Sequence, residues 1–293
     1  MLTATDPLAL QRLCIQWETE GKDIALVPTM GFLHAGHESL IRKGRELADK
    51  LIVSVFVNPT QFGPNEDLEA YPRSPEKDAA IIEAAGADVL FMPEPAAMYP
   101  EGHATQVETP PLAAGLCGVT RPIHFRGVCT VVAKLLLLSR AHFAVFGEKD
   151  RQQLTIIRRM AKDLFIPVEI VGMPTVREAD GLALSSRNAY LTSEERVRAP
   201  SFAAGLRKAV AAVRAGETSV PALAEMIRAH WAEHLPAGRE DYLAFVHPDT
   251  LSPLDRIDGP FVVAAAMYVG KARLIDNMLS TPENDSNPQQ ERA

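Results

Sequence analysis

An apolar run, Ile24-Ala25-Leu26-Val27, is followed by a glycine-containing stretch and then by residues 38–47, whose apolar positions recur at helical spacing. A second apolar run over residues 51–57 comes directly after, so the unit reads strand–loop–helix–strand. The alternation continues with a polar loop at 58–63, a helix around 75–85 and a short strand at 88–92. A buried helix over 127–140, a strand at 142–146, an amphipathic helix over 148–165 and a strand at 168–171 complete it. Strands alternating with helices predict a parallel sheet with right-handed crossovers and helices on both faces, the α/β class. No repeat of fixed period is visible.

From about Pro174 the pattern changes. Residues 179–188 form a polar, glycine-containing stretch, and 193–216 and 220–234 are alanine-rich with helical periodicity. Two late apolar runs, 242–246 and 261–269, predict strands of a small separate sheet. The expected organisation is a first domain over 1–174 and a smaller α+β domain over 175–280. Residues 281–293 are polar and without periodicity, and are expected to form a disordered tail.

Composition narrows the function class. The chain has 293 residues, 47% of them hydrophobic, enough to bury a core in one large domain or two ordinary ones. Lysine and arginine number 30 against 37 acidic residues, a net charge of −7. No basic stripe follows the pattern of a nucleic-acid backbone, so a small-molecule partner is favoured over DNA or RNA. Cys14, Cys117 and Cys129 are too few and too scattered for a disulfide framework, and no CxxC pair suggests zinc. The N-terminus lacks the basic region and apolar core of a signal peptide, and the longest apolar run falls far short of a membrane span. A soluble cytoplasmic protein is expected.

The chemistry-bearing residues follow the predicted strands. In Val27-Pro28-Thr29-Met30-Gly31-Phe32-Leu33-His34-Ala35-Gly36-His37, two imidazoles sit where a parallel strand ends and a helix begins. Backbone N–H groups and the helix dipole favour an anion there, and histidines can donate to a polyphosphate and to the charge that develops when it is attacked. Ligands of open α/β sheets bind beyond the carboxyl ends of the strands. Asn58 and Gln61 follow the second strand, and Gly147-Glu148-Lys149-Asp150, with Gln153 one turn on, follow the strand at 142–146. Thr175, Val176 and Arg177 follow the strand at 168–171 and lead into Ser185-Ser186-Arg187. Each element has a plainer reading. A lone histidine at a helix start is usually a cap, and Asn58-Pro59 on its own is a turn signal. Glu148-Lys149-Asp150 can be a charged first turn, although a lysine there opposes the dipole unless an anion is bound. Ser185-Ser186-Arg187 can equally be a capping loop before the helix at 193.

Pro28-Thr29-Met30-Gly31…His34…Gly36-His37 resembles the HxGH signature of the nucleotidyltransferases, in the variant of the pantoate–β-alanine ligase family. The resemblance extends to Asn58-Pro59-Thr60-Gln61-Phe62, Tyr71-Pro72-Arg73, His124-Phe125-Arg126-Gly127-Val128 and Phe146-Gly147-Glu148-Lys149-Asp150. It continues through Gln152-Gln153, Pro174-Thr175-Val176-Arg177-Glu178, Leu184-Ser185-Ser186-Arg187-Asn188 and Arg273-Leu274-Ile275-Asp276-Asn277. These segments occur in the family's order over residues 20–277. Two positions depart from the pattern: Phe32 stands where alanine is common and Ala35 where glutamate is common.

The resemblance implies a Rossmann-like doubly wound parallel sheet binding nucleotide and pantoate over 1–174, with 175–280 as a smaller α+β lid domain. It implies ATP-dependent condensation of (R)-pantoate with β-alanine through a pantoyl adenylate, releasing AMP and diphosphate, with Mg²⁺ carried on the phosphates and a homodimeric assembly. His34 and His37 would contact the phosphates, with His37 as proton donor, and Lys149 and Arg187 would stabilise phosphate charge. The ATP site would comprise Met30, Gly31, Phe32, Leu33, His34, Ala35, Gly36 and His37. It would continue through Gly147, Glu148, Lys149 and Asp150 to Val176, Leu184, Ser185, Ser186 and Arg187. Gln61 and Gln153 would hold pantoate, and Gln61 would also border β-alanine. No protein cage for the metal is implied. The stretch 179–188 is the candidate gate that excludes water from the adenylate. Two other readings stand beside this one: a cytidylyl- or adenylyltransferase making a nucleotide-linked product, and a nucleotide-sensing scaffold without turnover.

Overall fold

The computed structural model describes residues 1–64 and 66–281. Its strands are β1 (Leu2–Ala4), β2 (Ile24–Thr29), β3 (Lys50–Val55), β4 (Val89–Phe91), β5 (Phe143–Gly147), β6 (Glu169–Met173), β7 (Arg239–Val246), β8 (Phe261–Val269) and β9 (Ala272–Ser280). The helices are α1 (Pro7–Thr19), α2 (Ala35–Leu47), α3 (Pro75–Ala84), α4 (Pro95–Met98), α5 (Pro110–Ala113) and α6 (Cys117–Thr120). They continue with α7 (His124–Ser139), α8 (Arg151–Asp163), α9 (Ser193–Arg198), α10 (Pro200–Arg214) and α11 (Val220–His234). Two compact units result. The first comprises Met1–Ala113, Arg121–Glu148 and Ile156–Pro174; the second comprises Ala114–Thr120, Lys149–Thr155 and the described residues from Thr175 onward.

The first unit holds a six-stranded sheet of order β1-β4-β3-β2-β5-β6, parallel at every pairing. β2 and β3 are almost continuously apolar because both faces of the sheet are covered. Ala25 and Val27 of β2 pack in one cluster with Leu40 and Ile41 of α2 and Ile82 of α3. Ile24 and Leu26 alternate to the opposite face and are equally buried. The chain order reverses at β2, which has β3 on one side and β5 on the other. β2 pairs with β3 from Ile24↔Lys50 to Thr29↔Val55, but with β5 only at Ala25↔Phe143 and Leu26↔Ala144. The sheet therefore opens between β2 and β5 at their carboxyl ends, the switch point at which ligands of such sheets bind.

In the second unit β7, β8 and β9 form an antiparallel sheet. Phe261, Val263, Ala265 and Met267 of β8 share a core with Phe202 and Leu206 of α10 and Leu223, Ile227 and Trp231 of α11. A parallel α/β sheet with a smaller C-terminal α+β part is thus the observed class, as the hydrophobic pattern predicts.

Several elements differ from the sequence reading. The helical run at 193–216 is broken into α9 and α10 because Pro200, at the first position of α10, has no N–H to continue the preceding helix. The run from 148 starts as a 3₁₀ turn over Glu148–Asp150 before α8 begins. The hydrophobic pattern does not predict β1, α1 or β9. The start of α1 is marked by Asp6, whose carboxylate accepts from Ala9 N–H at 2.6 Å, and by Pro7. Beyond Thr281 the expected tail at 281–293 lies outside the described residues. No helix among the described residues is long and apolar enough to cross a membrane.

Candidate active site

β2 leads into the first histidine through two successive left-handed residues, Gly31 (φ +83°) and Phe32 (φ +53°). A side chain at Gly31 would bring Cβ within 2.9 Å of the Asp78 carboxylate and 3.1 Å of Val55. At Phe32 the same backbone region costs about 1–2 kcal/mol, which the Asp78 carboxylate offsets. It accepts from Phe32 N–H at 2.8 Å and Leu33 N–H at 2.7 Å, and Asp78 is only 1% exposed. These two amides within the expected phosphate-binding stretch are therefore directed at a protein carboxylate. Asp78 lies 46 residues from Phe32, and no local signal in the sequence marks it.

His34 is the N-cap of α2, and its Nδ1 accepts from Gly36 N–H at 3.1 Å. His37 Nδ1 accepts from His34 N–H at 3.3 Å, closing a reciprocal capping box, with the two ring centroids 4.1 Å apart. Capping and ligand binding are compatible here. An N–H aimed at Nδ1 requires a lone pair on that atom, so each neutral ring carries its proton, and therefore its donor, on Nε2. Ala35, at the first helical position, is exposed, and Phe32 is half-buried.

After β3, a 3₁₀ turn over Pro59–Gln61 presents Gln61, which is 7% exposed beside the 1%-exposed Asn58. Asn58 Nδ2 donates to Gln61 Oε1 and to the Gly127 carbonyl, both at 3.1 Å, while Gln61 Nε2 approaches Met30 Sδ at 3.0 Å. His124 Nδ1 donates to the Gln61 carbonyl at 3.0 Å. The turn lies directly on α7, and a Cβ at Gly127 would fall 2.4 Å from the Thr60 carbonyl oxygen, so only glycine fits. Arg121 donates to the Gln61 carbonyl at 3.4 Å and pairs with Glu66. Burial alone would raise the Glu66 carboxyl, but the bonds and charge of Arg121 outweigh it and hold the group below its usual range. Arg73 of the Tyr71-Pro72-Arg73 motif donates to the carbonyls of Leu68, Glu69 and Tyr71, so this motif staples the backbone after the turn.

In the second unit Lys149 is half-buried and its carbonyl accepts from Asn277 Nδ2 at 2.9 Å. Asp276, 3% exposed, binds the Arg177 guanidinium at 2.6 and 2.8 Å and accepts from Asn277 N–H. Residues 176–184 form a tight hairpin. Leu184 N–H donates to the Val176 carbonyl at 3.0 Å, Glu178 N–H to the Leu182 carbonyl at 2.8 Å, and Gly181 (φ +90°) turns the tip. Arg196 ties Asp180 (2.6 Å) and Glu178 together across that tip. The Ser185 hydroxyl accepts from Arg187 N–H at 3.3 Å and caps a 3₁₀ turn over Ser186–Tyr190, with Ser186 and Arg187 half-buried. The adjacent glutamines differ in environment. Gln152 is buried and spans the Gly115 carbonyl and Cys117 N–H, whereas Gln153 is half-buried on the first turn of α8. Asp150 is exposed, and Gly147 and Glu148 close β5. Among the described residues no group of three or more histidine, cysteine or acidic side chains is placed to hold a metal ion.

A family model described as pantoate-beta-alanine ligase matches residues 3–279. A pantothenate synthetase of Nitratidesulfovibrio vulgaris (strain Miyazaki F) is 58% identical over 97% of this chain and 100% of that protein. The crystal structure of a pantoate-beta-alanine ligase from Thermus thermophilus superposes with a TM-score of 0.91 at 45% identity, covering 96% of this chain and 100% of that one. One from Francisella tularensis, complexed with beta-gamma ATP and beta-alanine, superposes with a TM-score of 0.77 at 35% identity over 95% and 97%.

Proposed function

The chain belongs to the pantoate–β-alanine ligase family, and from that membership we propose that it condenses (R)-pantoate with β-alanine at the expense of ATP. In the first half-reaction a pantoate carboxylate oxygen bonds to the α-phosphorus and the bond to the leaving diphosphate breaks. In the second, the β-alanine amine attacks the acyl carbon, the acyl–oxygen bond breaks and AMP departs. A carboxylate is a weak nucleophile, so catalysis rests on positioning and on neutralising phosphate charge.

The observation that carries the reading is the pair of capped imidazoles, whose Nδ1 atoms are committed to α2 and whose donors are therefore on Nε2. We assign His34 and His37 to the phosphates, with His37 donating a proton or hydrogen bond to the departing diphosphate. Lys149 and Arg187 offset phosphate charge. Met30, Gly31, Phe32, Leu33, Ala35 and Gly36, together with Gly147, Glu148, Asp150, Val176, Leu184, Ser185 and Ser186, complete the ATP-binding set. Gln61 and Gln153 hold pantoate, and Gln61 borders β-alanine. The stretch 179–188 is the gate that keeps water from the adenylate, and its first part belongs to the hairpin tied by Arg177, Asp276 and Arg196. The donors named are imidazole, ammonium, guanidinium and amide groups, which suit phosphate oxygens. A hard Mg²⁺ ion fits as one carried by the triphosphate and water, where it neutralises charge. On the same family grounds a cytoplasmic homodimer is the expected form.

The test is an AMP-release assay with ATP, pantoate and β-alanine, omitting each in turn. Turnover should require all three, with diphosphate released once per site from ATP and pantoate alone. Steady AMP formation without pantoate would contradict the assignment.

A further inference from the structure

Two backbone groups decide which way the Asn58 amide faces. Its Nδ2 has two acceptors, Gln61 Oε1 and the Gly127 carbonyl. Its Oδ1 has three donors: Tyr99 Oη at 2.7 Å, Thr60 Oγ1 at 3.0 Å and Thr60 N–H at 3.4 Å. Reversing the amide would set NH₂ against the Thr60 N–H and oxygen against the Gly127 carbonyl, two backbone groups that cannot exchange roles, with Asn58 out of reach of water at 1% exposure. The orientation of Asn58 then fixes that of Gln61. Gln61 Oε1 is the end that accepts from Asn58, so Nε2 is the end on the Met30 side. A glutamine held this way offers N–H donors there, which suits a carboxylate or hydroxyl oxygen and rejects another donor.

The shortest bond holding the Asn58 amide in place comes from Tyr99, a residue 41 positions from Asn58 with no part in the signature motifs. We propose that Tyr99 is a positioning residue for acid recognition, holding the Asn58 amide in place and through it the Gln61 amide that faces the acid. The inference rests on the assignment of Gln61 to pantoate. The Tyr99 ring has separate contacts, with Phe56, His103 and the Lys134 ammonium. Tyr99→Phe keeps the ring that makes them and deletes only the oxygen.

Steady-state kinetics of Tyr99→Phe, Gln61→Ala and the double variant test this. Tyr99→Phe should raise KM for pantoate about three- to tenfold, the weight of one hydrogen bond, with KM for ATP unchanged and the melting temperature lowered by no more than the few degrees one such bond is worth. In the Gln61→Ala background the same substitution should have no further effect on pantoate KM. If Gln61→Ala raises pantoate KM but Tyr99→Phe does not, the Tyr99 role is overturned while the Gln61 assignment stands. Additive effects in the double variant, or equal changes in both KM values, overturn it as well. If Gln61→Ala leaves pantoate KM unchanged, the Gln61 assignment fails and the inference falls with it.

Discussion

His34 serves the fold and the reaction through different ring nitrogens, and a substitution can separate the two. Asparagine is among the best N-cap residues, so His34→Asn keeps an acceptor for Gly36 N–H while removing the Nε2 donor. Turnover should drop by about 10²-fold, the usual cost of one lost donor to developing charge, with an unchanged melting temperature in a thermal scan. Unchanged turnover in a variant of unchanged stability would instead mark His34 as a cap alone. The histidine pair was legible in the sequence because its spacing and its place after an apolar run are local features. Asp78 and Tyr99 were not, since each acts across 46 or 41 residues of chain, and Asn277 was legible only as part of a motif, its contact lying 128 residues away. Nothing near them in sequence signals the contact. The two-glutamine motif was legible only as a motif: that Gln152 braces the 115–117 backbone while Gln153 stays half-buried is decided by the packing around α8.

At the scale of elements, β9 shows what defeats a reading by periodicity. Arg273, Asp276 and Asn277 interrupt the apolar alternation that would have marked a strand. Each is committed to a tertiary contact: Arg273 to Asp241 at 2.6 Å, Asp276 to Arg177, and Asn277 to the Lys149 carbonyl. The neighbouring β8 and α11 have no such interruption, and their limits could be read directly. Asp276→Ala removes both charge-assisted bonds to the Arg177 guanidinium, which is itself half-buried and keeps the Gly181 carbonyl. A loss of about 1.5–3 kcal/mol in urea unfolding is expected, the weight of hydrogen bonds between charged groups. A loss below about 1 kcal/mol, the range of an exposed pair, would show that the bridge does not hold the 176–184 hairpin to β9. The break at Pro200 was a readable signal too, since a proline inside a helical pattern ends the helix before it; the alanine-rich surroundings obscured it.

At the scale of the whole molecule, alternation of strands and helices was sufficient for the class but not for the order of strands. Hydrophobic periodicity says which segments are buried, not which neighbour each strand takes. The placement of β5 beside β2, with only two paired positions, opens the sheet at the carboxyl ends of these strands. The reaction assigned to those residues has an atom-level signature. Pantoate labelled with ¹⁸O in its carboxylate should be incubated with ATP and β-alanine and the products examined by mass spectrometry. If the carboxylate attacks the α-phosphorus, each turnover transfers one labelled oxygen to AMP and none to diphosphate. Unlabelled AMP, with ¹⁸O recovered instead in inorganic phosphate or diphosphate, would contradict the adenylate route.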